Sequence, residues 1–431
     1  MKVLVLNSGS SSQKSCLYEI GDTLPDAAPA FAWEGKIEFA DNNKEKDKNK
    51  DKDKNKDKEA EYSILSSGGA SHKGQLSALS RGEAIEHLLH GLWDGETRAI
   101  STPSEIDVVG HRVVHGGPEY FSPAFVTPEV KSAIAGVSLF APLHNRAELE
   151  GMEIVSKLFG PVPQVAVFDT GFHRTMPRSS AVYPGPYEWF EQGIRRYGFH
   201  GINHQYCAER AAEMLGGTSS SPRLVTCHLG NGCSLAAIRN GQSVDTTMGF
   251  TPLEGLMMGT RSGSVDPGIV TYLMRQKKLT GEQLDEMLNK QSGLLGVSGI
   301  SGDMRDILAA AANSNDRAKL ALEIYIHRLQ AAIGAMVAVL GGVDALVFTA
   351  GVGENSPEVR AATCENLAFL GVRLDPEKNT HRSDSDVDIS SPDTSVRVFV
   401  IHAQEDWMIA RECWNLMQTV PESRTSSSTP N

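Results

Sequence analysis

Two well-separated stretches of this chain follow one plan. In the first, residues 2–6 form a short β-branched, apolar run that stops at Asn7-Ser8-Gly9, and residues 15–20 resume as a second strand. In the second, residues 224–229 form a similar run ending in Gly230-Asn231-Gly232. Residues 234–238 return, and Asn240-Gly241 turns the chain into residues 242–246. A 431-residue chain favours two or three domains. The repeat of strand, polar Gly-bearing turn and returning strand points to a duplicated α/β fold.

The first turn, NSGSSSQK, comes close to a phosphate-binding P-loop. Gly9 is followed by four residues and then Lys14-Ser15, but Gln13 stands where a Walker A loop has its second Gly. A Walker A loop also opens into a helix, whereas this one returns as a strand. The residues alone leave an altered nucleotide site, a plain hairpin and a phosphate loop of another architecture all open.

Elsewhere, residues 81–93 read as a helix with Ile85, Leu88, Leu89 and Leu92 on one face. Helices are also expected over 128–137, 145–158, 206–215 and 407–417, and from about Pro357. Strands are expected over 106–114, 165–168, 345–349 and 398–401. Residues 41–59 alternate Lys with Asp, Asn and Glu and have no apolar face at either period, which predicts a solvated, disordered insertion. The tail beyond Val420 reads as disordered too. The formal net charge of −12 argues against nucleic acid or an anionic membrane as the main partner. No run of about 18 apolar residues is evident, so no membrane span is expected, and no signal peptide is expected either. The six cysteines form no C-x-x-C pair, which suggests reduced thiols in a cytoplasmic protein.

Three Gly-bearing segments follow apolar strands, the third being GVGENS at Gly351–Ser356. Glycine lets backbone approach an anion, and small polar side chains add donors. Each alone reads as a structural turn or a phosphate contact; three together suggest a nucleotide. Arg112 closes a buried strand in GHRVVHGG, and Arg261 lies among glycines in MMGTRSGSVDPG. Either could pair with a core carboxylate or clamp a carboxylate or phosphate with its guanidinium fork. Asp169 follows a strand, where open α/β sheets place chemistry. His173 and His204 read as core histidines and His200, between Phe199 and Gly201, as a site residue.

In order along the chain, NSGSSSQK, GHRVVHGG, APLHN, VFDTGFH, RRYGFHG, CHLGNGCS, GTRSGSVDPG, SGDMRD, GVGENS and a late ED resemble the acetate kinase family. That family belongs to the acetate and sugar kinase, Hsp70 and actin superfamily. The resemblance implies an α/β fold of two domains with duplicated RNase H-like, actin-like ATPase topology and a cleft between them. It places residues 1–169 with 406–420 in the N-terminal domain and 170–405 in the nucleotide-binding C-terminal domain, and implies a homodimer. It also implies Mg²⁺, with Mn²⁺ as a substitute, and ATP or ADP, acetate and acetyl phosphate as substrates and products.

By the same resemblance, Asn7 and Glu405 hold the metal and Lys14 contacts the nucleotide phosphates. His228, Leu229, Gly230, Asn231 and Gly232, then Asp303, Met304 and Arg305, then Gly351, Val352, Gly353, Glu354 and Asn355 line the nucleotide. Arg112 binds the substrate, Asp169 is the essential acid, and His200 and Arg261 stabilise the transition state. Val114, Leu143, Phe199 and Pro252 form an apolar pocket for the methyl group. Acetate is already ionised at pH 7, since free carboxyls titrate near about 4. The obstacle is therefore bringing one anion against another, which calls for cations rather than a base. The chain departs from the family at GFHGINH, where Ile202 and Asn203 replace the usual Thr and Ser, and at HNR and QED. A propionate or other short-chain acid kinase, and a non-kinase actin- or Hsp70-like ATPase module, are the competing readings.

Overall fold

The computed structural model describes residues 1–9, 12–25, 27–39, 60–76, 80–137, 142–216 and 221–419, apart from the side chains of 142–144. The charged insertion 41–59 and the tail beyond 420 lie outside the described residues. The chain divides into two compact units. One runs to Gly171 and resumes at Gln404; the other is Phe172–Ala403.

The first unit is built on a sheet of eight strands: β1 (Lys2–Ser8), β2 (Ser12–Glu19), β3 (Trp33–Phe39), β4 (Ala60–Ser66), β5 (Ser71–Leu76), β6 (Val108–Val113), β7 (Ala124–Phe125) and β8 (Gln164–Phe168). Their order is β5-β4-β3-β2-β1-β6-β8-β7. β1 to β5 form an antiparallel meander, while β1, β6 and β8 run parallel. The second unit carries β9 (Arg223–Leu229), β10 (Cys233–Arg239), β11 (Gln242–Thr246), β12 (Ala345–Thr349), β13 (Val387–Asp388) and β14 (Arg397–Val400), ordered β11-β10-β9-β12-β14-β13. Here β9, β10 and β11 are antiparallel, and β9, β12 and β14 are parallel. The series β3-β2-β1-β6-β8 and β11-β10-β9-β12-β14 therefore share one strand order and one set of pairing senses. This is the duplication that the repeated hairpins announced.

The parallel strands have apolar centres. Val3, Leu4, Val5 and Leu6 of β1 and the whole of β12 are buried, as expected of strands covered on both faces. In the first unit, Leu4, Leu6, Trp33 and Ile37 pack with Ile85, Leu88 and Leu89 of the Arg81–His90 helix and with Leu92 just beyond it. The Glu405–Gln418 helix lies on β1 and β6. It approaches so closely that a Cβ at Gly110 would meet Cys413 Sγ at 2.6 Å and Ile409 Cγ2 at 2.7 Å.

Several expectations change. The first hairpin does not turn at Asn7-Ser8: the ladder pairs Asn7 with Lys14 and Ser8 with Gln13, so Lys14 sits in strand β2. Continuing the ladder satisfies backbone groups that a turn at Asn7 would leave open. GVGENS is not a turn either; Ala350–Asn355 is a short helix. The Asp316–Leu340 helix is long and apolar enough to cross a membrane by length and composition, unlike the sequence expectation. Its residues Tyr325, Leu329, Ile333, Met336 and Leu340 form a buried stripe, and it packs on β9, β10 and β11. A core helix of this length meets the same criterion as a span.

Candidate active site

In the first unit, β1, β6 and β8 end on the side of the sheet where parallel α/β folds place chemistry. Arg112 is on β6 and Asp169 directly follows β8. Arg112 Nη2 donates to Asp169 Oδ2 at 2.8 Å, and Arg112 Nε lies 4.0 Å from Glu405 Oε2. Burial alone would lower the Arg112 pKa, but the Asp169, Glu405 and Glu148 carboxylates outweigh it and hold the guanidinium firmly charged. Burial pushes the Glu405 carboxyl up, with Asp169 adding to the rise and Arg112 opposing it. Glu148 is pushed up to about 8 by burial, against its bond from the Val114 N–H at 3.0 Å and the Arg112 charge. Arg112 Nε, Glu148 Oε2 and Thr170 Oγ1 are buried side-chain atoms without a hydrogen bond among the described residues.

The start of the Glu405–Gln418 helix meets the end of β1. Asn7 Nδ2 donates to Glu405 Oε2 at 3.2 Å and to Asp406 Oδ1 at 3.0 Å. Lys14 Nζ pairs with Asp406 at 2.7 Å and Glu34 at 3.1 Å. Burial works against the Lys14 charge, but Asp406 and its neighbours keep it protonated. Asn7 spends its amide nitrogen on carboxylates, so its oxygen is the atom it can offer a cation. Asn7 and Glu405 are oxygen donors of the kind Mg²⁺ takes. Among the described residues no three His, Cys, Asp or Glu side chains form a metal cage. Such a donor set suits an ion that keeps waters and substrate oxygens, as Mg²⁺ does.

The second unit holds a separate constellation around the β9–β10 turn. Gly230 N donates to Gly232 O at 3.1 Å. A Cβ at Gly230 would lie 3.8 Å from His228 Nε2, and one at Gly232 would lie 3.4 Å from His200 Nε2 and 3.6 Å from Arg261 Nη1. The two glycines thus keep open a surface edged by two imidazoles and a guanidinium. His200 caps the Gly201–Met214 helix in the left-handed region at φ 56°, rare for a residue with a side chain. Its Nδ1 is 2.9 Å from Ser234 Oγ, and its ring stacks on His228 at 3.9 Å and 11°. Arg261 Nη1 donates to Pro252 O at 3.2 Å. Desolvation lowers the Arg261 pKa, the mark of a cation held out of water.

The remaining expected residues divide by what they expose. Leu229 and Met304 are buried and expose no side chain to a ligand. Asp303 caps the Met304–Ala312 helix and is paired with the exposed Arg305 at 2.6 Å. Within Ala350–Asn355, Glu354 Oε1 accepts from Ala350 N at 2.7 Å and Ala403 N at 2.9 Å, and Asn355 donates to Gly351 O. Gly353 is buried, while Gly351 is exposed and Val352 half-buried. Val114 and Phe199 are buried in different units, and the Leu143 side chain lies outside the described residues. His173 and His204 are satisfied in the core, by Ser243 and the Phe199 carbonyl and by Thr226 and Ser234. Sequence reasoning missed Asp406, Glu34, Glu148 and Ser234. Asp406 could have been found as the second acid of the late ED pair; the others carry no local signal.

The chain matches the acetokinase family model over residues 2–411. It is 59% identical over 423 residues to an acetate kinase of Cyanothece sp., covering 98% of this chain and 100% of that one. The Porphyromonas gingivalis acetate kinase structure aligns with TM-score 0.83 and 39% identity, over 96% and 99% of the two chains. A propionate kinase structure from Francisella tularensis aligns with TM-score 0.82 and 36% identity, again over 96% and 99%.

Proposed function

Since the chain belongs to the acetokinase family, we propose that it catalyses reversible phosphoryl transfer from ATP to acetate, giving acetyl phosphate and ADP. The observation that carries this reading is the buried Arg112–Asp169 pair at the ends of β6 and β8. An arginine already anchored by one carboxylate, with a buried Nε still to be satisfied, suits recognition of a second carboxylate. Acetate is favoured over propionate because the relatives at 59%, 56% and 55% identity are acetate kinases. One extra methylene is worth only about 1–3 kcal/mol in an apolar pocket, so some turnover of propionate is expected.

The nucleophile needs no base, since acetate is ionised at neutral pH. Asp169 is assigned to holding Arg112 rather than to taking a proton. Arg112 binds the acetate carboxylate. His200 and Arg261 meet the charge that develops on the transferring phosphoryl group, in a setting where fixed donors count for more than in water. The Gly230 to Gly232 turn, with His228, Asp303 and the Gly351–Asn355 segment, takes the nucleotide. Asn7 and Glu405 would hold Mg²⁺, which supplies charge neutralisation of the phosphate oxygens when bound. Lys14 reaches the phosphates only through a change of partners, because its ammonium is engaged by Asp406 and Glu34.

A second copy of the chain is the proposed partner. The Pro267–Lys277 helix buries none of its residues in its own unit. Ile269, Tyr272 and Met274 are large and exposed there, with Val265 just before the helix. Such a face marks an interaction surface. The six free, buried thiols fit a reducing cytoplasm.

Purified protein, ATP, Mg²⁺ and acetate should yield acetyl phosphate, trapped as its hydroxamate. Nucleotide hydrolysis without acetate dependence would instead select the ATPase module, and a propionate or butyrate optimum would displace acetate.

A further inference from the structure

The second unit contains a chain of hydrogen-bonded side chains around its stacked histidines. Thr226 Oγ1 is 2.7 Å from His204 Nδ1, and His204 Nε2 is 2.7 Å from Ser234 Oγ. Ser234 Oγ in turn meets His200 Nδ1 at 2.9 Å. On the other side of the stack, Asn203 Nδ2 is 2.8 Å from His228 Nδ1 and 3.3 Å from Thr349 Oγ1. The opposite end of that amide, Oδ1, accepts from the Cys207 thiol at 3.7 Å. Asn203 and His204 are both fully buried, and Asn203 lies one turn into the helix that His200 caps.

An amide nitrogen can only donate. Its hydrogen bond therefore needs a lone pair on His228 Nδ1, which puts the ring proton on Nε2. The Nε2 edge is the one that faces Gly230 in the turn. A serine hydroxyl, the usual family residue here, can donate or accept and would leave both tautomers and the imidazolium available. The parallel rings, 3.9 Å apart, penalise two simultaneous positive charges. Among the described residues near the stack, Arg261 is cationic, and His204, held neutral by burial, carries no negative charge. The buried Cys233 thiol beyond the turn is pushed up to about 11 and stays neutral.

We propose that Asn203 is a positioning residue that locks His228 as the neutral, Nε2-protonated tautomer, so that the His200–His228 stack carries at most one positive charge and His200 bears it. His228 then offers the turn one directed N–H donor, and within the stack the cationic role falls to His200. The proposal deepens the phosphotransferase reading and rests on it for the kinetic consequence only.

The test is a two-bond proton–nitrogen correlation spectrum of full-length protein labelled with ¹⁵N-histidine, without ligand, with His228 assigned from a His228→Gln variant. The expected result is a pyridine-like Nδ1 and a pyrrole-like Nε2 on His228 that persist from pH 8 down to pH 5.5. In Asn203→Asp the carboxylate can accept from Nδ1–H, and His228 should titrate at least about one pH unit higher than in the parent protein. Asn203→Ser, the less disruptive change, should yield a mixed tautomer. A parent protein with the proton on His228 Nδ1 would overturn the proposal. So would a folded Asn203→Asp protein whose His228 titrates as before. In kinetics, Asn203→Asp should move the acid limb of kcat/KM upward with little change in the acetate KM. An enzyme inactive on acetate would sink the phosphotransferase reading, while the spectrum would still decide the tautomer.

Discussion

Lys14 Nζ lies 2.7 Å from Asp406 Oδ2, joining strand β2 to the first turn of the Glu405–Gln418 helix. Asp406 also accepts from Asn7, and Glu34 takes the other side of the Lys14 ammonium. The lysine therefore organises the carboxylates beside Glu405. Lys14→Met should lower stability by about 1–2 kcal/mol, between the values for exposed and buried pairs. Asp406→Asn in the same chain should recover part of that loss. Denaturant midpoints in a double-mutant cycle measure the coupling; strictly additive losses would show the pair contributes nothing.

Arg112→Lys keeps the charge and removes the fork. The acetate kcat/KM should fall by about 10²-fold, while the KM for ATP changes little. Initial rates at varied acetate and fixed ATP give the answer, and equal effects on both substrates would remove Arg112 from the acetate side.

Asp169→Asn should cut kcat strongly, with no solvent deuterium isotope effect on the parent enzyme, because Asp169 anchors Arg112 and moves no proton. A substantial isotope effect on kcat would restore the general-base role. Retention of near-parental kcat by Asp169→Ala would remove the residue from the reaction altogether.

Glu148 carries a pH signature. Its folded-state pKa of about 8 stands above the ordinary carboxyl value, mainly through burial. The unfolded chain ionises first as pH rises, so the stability associated with the neutral carboxyl is full below the ordinary value. It is lost as pH climbs through about 8. Glu148→Gln keeps an acceptor for the Val114 N–H and cannot ionise. Relative to this variant, the parent should lose about 4 kcal/mol between pH 5 and pH 9, since each pH unit between the unfolded and folded values is worth about 1.4 kcal/mol. Parallel melting-temperature profiles for the two proteins would contradict this.

Tyr272→Glu puts a charge on the exposed face of the Pro267–Lys277 helix. Sedimentation should change from dimer to monomer, with the melting temperature of a dilute sample little altered. A parent protein that sediments as a monomer would dispose of the proposed partner.

The fold was readable because strands buried on both faces must be written as apolar runs, and a duplicated fold writes them twice. β1 with β2 and β9 with β10 are visible for that reason. The Ala350–Asn355 helix was not, because a Gly-rich segment reads as a turn until side-chain bonds select the helix, here Glu354 accepting locally from Ala350 N and at long range from Ala403 N. Arg112, Asp169, His200 and Arg261 stood out by their motifs. Glu148 and Ser234 did not, since a buried polar residue inside an amphipathic helix or strand has no local mark.

The sequence by itself determined the family, the duplicated strand plan and the identities of the charged residues. These depend on residue order and on periodicity, which are local. Only the tertiary structure decided which charge each of them meets. It paired Arg112 with Asp169, drew Lys14 to Asp406 instead of leaving it in a turn, and set Asn203 against His228 Nδ1. Those choices rest on long-range packing in a medium of low dielectric, where a partner 2.8 Å away fixes a proton or a charge that sequence position leaves open.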